Sequence, residues 1–315
     1  MSSGSSSATP VAAGAAAAVP QGAGGPGGGA PGRSYGALGL VLSGCVSVQF
    51  GGAVAVSLMP RAGVLGIVAL RLVLAAAVLL VACRPALRGH SRADWTTVLV
   101  FGAVLAAMNS FFYEAVHRIP LGAGVTLEVL GPLSLSVIAS RRLVNLLWAA
   151  CALGGVFLLS GLAGGGIGRL DPVGVAFGLA AAVMWATYIL FSARTGRRFP
   201  QADGLALAMG VGALLALPFG IVDSGPRMLA PSTVGLALGV AVLSSVLPYT
   251  FELLALRRLP AATFAILMSL EPAIAATAGF LILGQAVTAV DAVAIALVIG
   301  ASIGAIRTQF KTLGN

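Results

Sequence analysis

Charge is scarce in this chain: Asp, Glu, Lys and Arg together make up 9% of its 315 residues, against about 25% in soluble domains. Hydrophobic residues reach 58% and the mean hydropathy is +1.03. That balance excludes an ordinary water-soluble domain and implies a polytopic membrane protein. Histidine is almost missing, with His90 and His117 alone. Neither has the HExxH spacing of a metalloprotease or a triad-like context, so an enzyme is not expected. The three cysteines, Cys45, Cys83 and Cys151, stand singly in or beside apolar runs. They show neither zinc-site spacing nor a disulfide framework, so they read as small packing residues, and no metal or cofactor is expected. No GxxxxGK[ST] run occurs, so no P-loop binds ATP in this chain and transport must draw on a gradient or run downhill. The net charge of +9 does not point to nucleic acid, because the basic residues form short clusters between apolar runs rather than one basic face.

Residues 1–34 are Gly, Ala, Ser and Pro with the single charge Arg33, too little apolar surface to offset chain entropy, which predicts a disordered tail. No basic stretch precedes the alanine-rich run Val11–Val19, which argues against a signal peptide. Beyond the tail, a bilayer core of about 30 Å needs about 20 apolar residues per helix. Ten windows meet that need: 35–58, 63–83, 95–116, 119–140, 143–163, 172–193, 203–223, 233–256, 259–283 and 288–307. With the N-terminus inside, the cytoplasmic segments hold Arg33, Arg84, Arg88, Arg92, Arg141, Arg142, Arg194, Arg197, Arg198, Arg257, Arg258, Arg307 and Lys311. The opposite side holds only Arg61, Arg118, Arg169 and Arg227. Positive charge in short loops marks the cytoplasm, so both termini are expected there.

Two stretches repeat one another. Asn109 to Pro132 (NSFFYEAVHRIPLGAGVTLEVLGP) and Tyr249 to Pro272 (YTFELLALRRLPAATFAILMSLEP) share Phe, Ala, Arg, Pro, Leu and a final Pro at a constant offset of 140. Five helices is an odd number, so the second copy enters the membrane in the opposite sense, as an inverted-topology repeat. The expected fold is therefore an all-α polytopic membrane protein with ten transmembrane helices in two inverted five-helix repeats. The expected domains are a cytoplasmic tail at 1–34, repeats at 35–163 and 172–308, and a cytoplasmic tail at 309–315. Substrate sites in such folds lie near mid-depth between the halves.

Each repeat carries a carboxylate deep in an apolar run, Glu128 and Glu271, roughly 14 and 18 Å into their helices at about 1.5 Å per residue. Ionisable groups there are costly and are usually functional. In the alignment Glu271 falls opposite Gly131, three residues from Glu128, so the two acids are expected to line one cavity with only approximate symmetry. Pro132 and Pro272 follow them, and each frees the carbonyl four residues earlier, that of Glu128 or Met268. A locally opened helix beside a carboxylate suits an ammonium group or a proton, which predicts coupling to the proton gradient. The alternative is that the prolines only kink the helices and the acids are neutral or bonded to neighbours. Arg71, alone in the second helix, fits either a structural salt bridge or a substrate carboxylate. Asn109 and Tyr249 are repeat-equivalent polar residues that either bind substrate or anchor at the interface. Glu114 and Glu252, close by, are candidates for gating or lining the pathway. Gln49, Trp185 and Tyr188 read as packing features.

At these residues the chain resembles the drug/metabolite transporter superfamily, in particular EamA-type carriers of ten helices and, within them, the threonine and homoserine exporters. Pro120 to Arg142 (PLGAGVTLEVLGPLSLSVIASRR) and Leu243 to Gly284 (LSSVLPYTFELLALRRLPAATFAILMSLEPAIAATAGFLILG) carry the likeness, over about a fifth of the chain. The resemblance implies secondary export of small amino acids such as threonine or homoserine across the bacterial inner membrane by proton antiport with alternating access. The implied partners are a small amino acid, protons and the lipid bilayer, with a homodimer left open. The alternatives are a carrier of another small metabolite or drug on the same scaffold and, more remotely, a non-transporting membrane sensor or assembly protein.

Overall fold

The computed structural model describes residues 31–140, 143–159, 170–200, 203–248, 251 and 267–313, and its regular elements are all helical. They are α1 (Pro31–Ala62), α2 (Val64–Cys83), α3 (Arg92–Val116), α4 (Leu121–Glu128), α5 (Leu130–Ser140), α6 (Leu143–Leu159), α7 (Pro172–Gly196) and α8 (Asp203–Ser224). A 3-10 turn (Gly225–Leu229) leads to α9 (Pro231–Ala241), which runs into a π-turn (Val242–Val246). After residues outside the description come α10 (Glu271–Leu283) and α11 (Ala289–Leu313).

Local chemistry sets several of these ends. Ser91 and Asp94 form a reciprocal capping box that starts α3, satisfying two backbone donors that have no partner inside the helix. Asp171 accepts from the Val173 amide and Pro172 opens α7, the usual use of proline at a first helical position. Gly63, at φ +66, turns α1 into α2 in a conformation that costs glycine little.

Among the described residues, six helices are long and apolar enough to cross a membrane: Gly36–Ala62, Val64–Cys83, Arg92–Val116, Pro172–Gly196, Asp203–Leu229 and Ala289–Arg307. Four shorter apolar helices, Leu121–Leu135, Leu146–Leu158, Pro231–Ser245 and Glu271–Leu283, overlap the other four windows, Pro231–Ser245 starting two residues ahead of its window. α1 and α11 run beyond the windows 35–58 and 288–307, from Pro31 to Ala62 and from Ala289 to Leu313. Residues 1–30 of the expected tail lie outside the described residues. The window 119–140, expected as one helix, is two, divided at Val129 three residues before Pro132. In the window 259–283 a new helix starts at Glu271 with Pro272 at its second position. A proline that cannot donate to the preceding turn is tolerated at a helix start, which explains both interruptions.

The helices pair in a regular scheme: α2 on α8, α4 on α10, α6 on α11, α3 on α7 and α8, α4 and α5 on α7, and α1 on α9, the π-turn and α10. Close approach depends on missing side chains. A Cβ on Gly131 of α5 would run into the Ala182 carbonyl of α7, one on Gly66 of α2 into Ser224 of α8, and one on Gly220 of α8 into Ala69 of α2. Such small-residue contacts replace the hydrophobic drive that is absent between helices in lipid. The central core joins Ile67 and Leu72 of α2, Tyr113 of α3 and Met209 and Ala213 of α8. Large apolar side chains such as Leu147, Val183, Leu214, Val222 and Leu281 point outward, as expected where lipid is the solvent.

Candidate functional site

Inside the bundle lies a cavity with about 1070 Å³ of atom-free space, its open mouth included. Its wall is drawn from both halves: α1, α2, α3, α4, α7, α8, the π-turn, Met268 and Glu271. Glu128, Glu271, Arg71 and Asn109 all stand on it, so four of the residues singled out by sequence share one chamber. Glu128, the last residue of α4, is close enough to interact electrostatically with both Glu271 and Arg71. Glu271 is 6% exposed and opens α10, where the unpaired amides of a helix start favour negative charge.

Arg71 is held by neutral groups. One guanidinium nitrogen donates to Asn109 Oδ1 at 3.0 Å and to the Tyr113 hydroxyl at 3.0 Å, and the guanidinium carbon lies 5.5 Å from the centre of the Tyr113 ring. Asn109 is tied in turn, its Nδ2 donating to the Leu105 carbonyl at 2.9 Å. A structural salt bridge was one reading of Arg71, but among the described residues the ion pairs are Glu114 with Arg118 and Asp94 with Arg198. The arginine therefore keeps donor capacity for an anion. Asn109 is buried inside the bundle.

Other candidates are placed differently. Glu114 pairs with Arg118 near the end of α3 and is not part of the cavity wall. Pro132 and Pro272 likewise stand off the wall and act at the helix interruptions beside it. Tyr249 and Glu252 lie outside the described residues.

Sequence reasoning passed over Tyr113, although it lies four residues after Asn109 and so on the same helix face. It set aside Gln49, Trp185 and Tyr188, all of which line the cavity, and did not consider Ser244 and Ser245 of the π-turn, which do as well. The π-turn has a readable cause. The Leu247 amide bonds five residues back to the Val242 carbonyl, and the next donor in that register would be Pro248, which has no N–H. The Leu243 carbonyl thus left over accepts instead from Ser47 Oγ of α1 at 2.6 Å. Single π-turns of this kind are frequent at functional sites.

A multi-pass helical bundle closed around a chamber holding two carboxylates and a guanidinium has the build of a membrane transporter. A model of the EamA-like transporter family matches residues 172–307. The threonine/homoserine exporter RhtA of Escherichia coli strain K12 is 36% identical over 272 residues, covering 86% of this chain and 92% of that protein. The exporter of the same name from Salmonella typhimurium strain LT2 is 37% identical over 269 residues, covering 85% and 90%. A solved crystal structure shares the fold at 20% identity with a TM-score of 0.59, covering 88% of this chain and 99% of that one. The chain belongs to the EamA-like transporter family, in the drug/metabolite transporter superfamily.

Proposed function

We propose that this protein is a secondary exporter of small amino acids of the threonine and homoserine kind, working across the bacterial inner membrane by proton antiport and alternating access. The observation that carries this reading is the single cavity in which Glu128 and Glu271 face the same space as Arg71. A zwitterionic amino acid matches that charge pattern, with its ammonium group at Glu128 or Glu271 and its carboxylate at Arg71, where Asn109 holds the guanidinium. Tyr249, the repeat counterpart of Asn109, is proposed as a further substrate-binding residue. Each acid is also a proton carrier: protonation of the carboxylate releases the ammonium, and its deprotonation readies the site again. The names of the relatives, threonine/homoserine exporters, supply the substrate class.

The architecture proposed with it is ten spans in two inverted five-helix repeats, bounded at 35–163 and 172–308, with both termini cytoplasmic. The helix pairing supports it. Counting α4 with α5 as the fourth span makes α6 the fifth, α7 the sixth and α11 the tenth. Exchanging each span with the one five places on leaves α2–α8, α4–α10 and α6–α11 unchanged and converts α3–α7 into α1–α9 and α4/α5–α7 into α1–α10, all of which are contacts. The interruptions at Pro132 and Pro272 then serve as hinges for rocking, with Glu114 and Glu252 along the route.

Two measurements test this. Purified protein in proteoliposomes is expected to show threonine counterflow that falls at least about tenfold in Glu128→Gln and in Glu271→Gln, and unchanged counterflow in both variants removes the carboxylates from the mechanism. Cells loaded with threonine- or homoserine-containing dipeptides are expected to release the free amino acid faster on expression. No increase for either amino acid refutes the substrate class while leaving the carrier in place.

A further inference from the structure

Resting on the amino-acid reading above, the inference concerns which side chains this cavity prefers. The charged groups Glu128, Glu271 and Arg71 account for the two ends shared by every zwitterionic amino acid and so give no preference among them. Discrimination has to come from another wall.

The α1 wall has the right features. Cys45 and Gln49 lie one turn apart on one face of α1, and the Cys45 sulfur meets that of Met268 at 3.5 Å, so this face turns toward Met268. Ser47 and Gly51 lie one turn apart on a second face, which touches the π-turn: Ser47 bonds the Leu243 carbonyl at 2.6 Å, and a Cβ on Gly51 would meet Leu243 and Ser244. Gly52, three residues after Gln49 and so on its face, lines the cavity, and a Cβ placed there meets nothing within 4 Å. Gln49 and Ser245 line the same cavity. They are 6% and 5% exposed, and neither makes a hydrogen bond among the described residues. Ser244, by contrast, spends its hydroxyl on the Val240 carbonyl at 2.7 Å.

We propose that Gln49, Gly52 and Ser245 form the subsite for the substrate's side chain, selecting a short chain that ends in a hydroxyl. The absent side chain at Gly52 leaves the space, and the amide of Gln49 and the hydroxyl of Ser245 supply a donor and an acceptor that a hydroxyl satisfies and a methyl group does not. Buried polar groups left unmatched by an apolar substrate penalise it.

Competition in the proteoliposome counterflow assay tests this with two near-isosteric pairs, threonine against valine and homoserine against norvaline. The wild-type protein is expected to favour the hydroxylated member of each pair by at least about tenfold. In Gln49→Leu and Ser245→Ala that ratio should fall toward one, and Ser245→Thr, which keeps the hydroxyl, should restore it. Gly52→Val should weaken homoserine and norvaline, the longer pair, more than threonine and valine. Gly52→Ala, which adds a Cβ in open space, provides a second reading of the same order from a fold-neutral change. Hydroxyl ratios that stay at the wild-type value in both Gln49→Leu and Ser245→Ala while counterflow persists overturn this subsite and leave the exporter reading intact. Absence of counterflow for every amino acid in the wild-type protein overturns both.

Discussion

At the scale of single residues, Arg71 was conspicuous in the sequence because a guanidinium in an otherwise apolar helix requires a partner or water. What the sequence did not disclose is how it is held. Tyr113 reads as one more aromatic in a membrane helix, yet it is fully buried and its hydroxyl accepts from Arg71. In Tyr113→Phe the guanidinium loses one of the two hydrogen-bond partners it has among the described residues, while the ring beneath it remains. Since hydrogen bonds to charged groups are worth about 1.5–3 kcal/mol, apparent affinity for threonine should fall about tenfold or more. Threoninamide, which lacks the carboxylate, should compete as it does against the wild-type protein. An equal loss for both ligands would mean that Tyr113 supports the fold and does not aim the arginine. The acids show a similar division between what spacing reveals and what it hides. Met268 aligns with Glu128 and both line the cavity, whereas Gly131, aligned with Glu271, packs on the α7 backbone at Ala182. The three-residue displacement was readable, but its cause, a site where no side chain fits, needed the neighbouring helix.

At the scale of elements, the long apolar helices were readable from hydropathy, and prolines marked where continuity fails. Pro132 and Pro272 were expected to open their helices locally, and they accompany a division at Val129 and a fresh start at Glu271. The sequence marks the π-turn only through Pro248, since VLSSV has no pattern distinct from an α-helix, and the turn depends on a donor from α1 for its freed carbonyl. That dependence gives a test. Ser47→Ala removes the donor to the Leu243 carbonyl, and leaving a buried carbonyl unmatched costs about 1–3 kcal/mol. Pro248→Ala added to it supplies a backbone N–H to the same turn. Thermal unfolding in detergent should show a lower midpoint for the single Ser47→Ala variant and partial recovery in the double variant. Additive losses would show that the two residues do not share that carbonyl.

At the scale of the whole molecule, the same sequence features carry architecture and orientation by different physics. Hydropathy defines spans through the cost of unpaired backbone in lipid, while orientation follows from where arginine and lysine are retained. The pairing of α2 with α8 and of α3 with α7 has ends that can be told apart by residue. Asp94 of α3 pairs with Arg198 just past α7 at one end, and Asp223 of α8 accepts from the Leu65 and Gly66 amides of α2 at the other. If both termini are cytoplasmic, the first end faces the cytoplasm and the second faces outward. In a background with Cys45, Cys83 and Cys151 replaced by alanine, Arg88→Cys should react with a membrane-impermeant maleimide only after cells are opened. Arg227→Cys should react in intact cells. The reverse pattern would turn the molecule over in the bilayer, and with it the meaning of every charged loop, while leaving the helix pairing and the cavity unchanged.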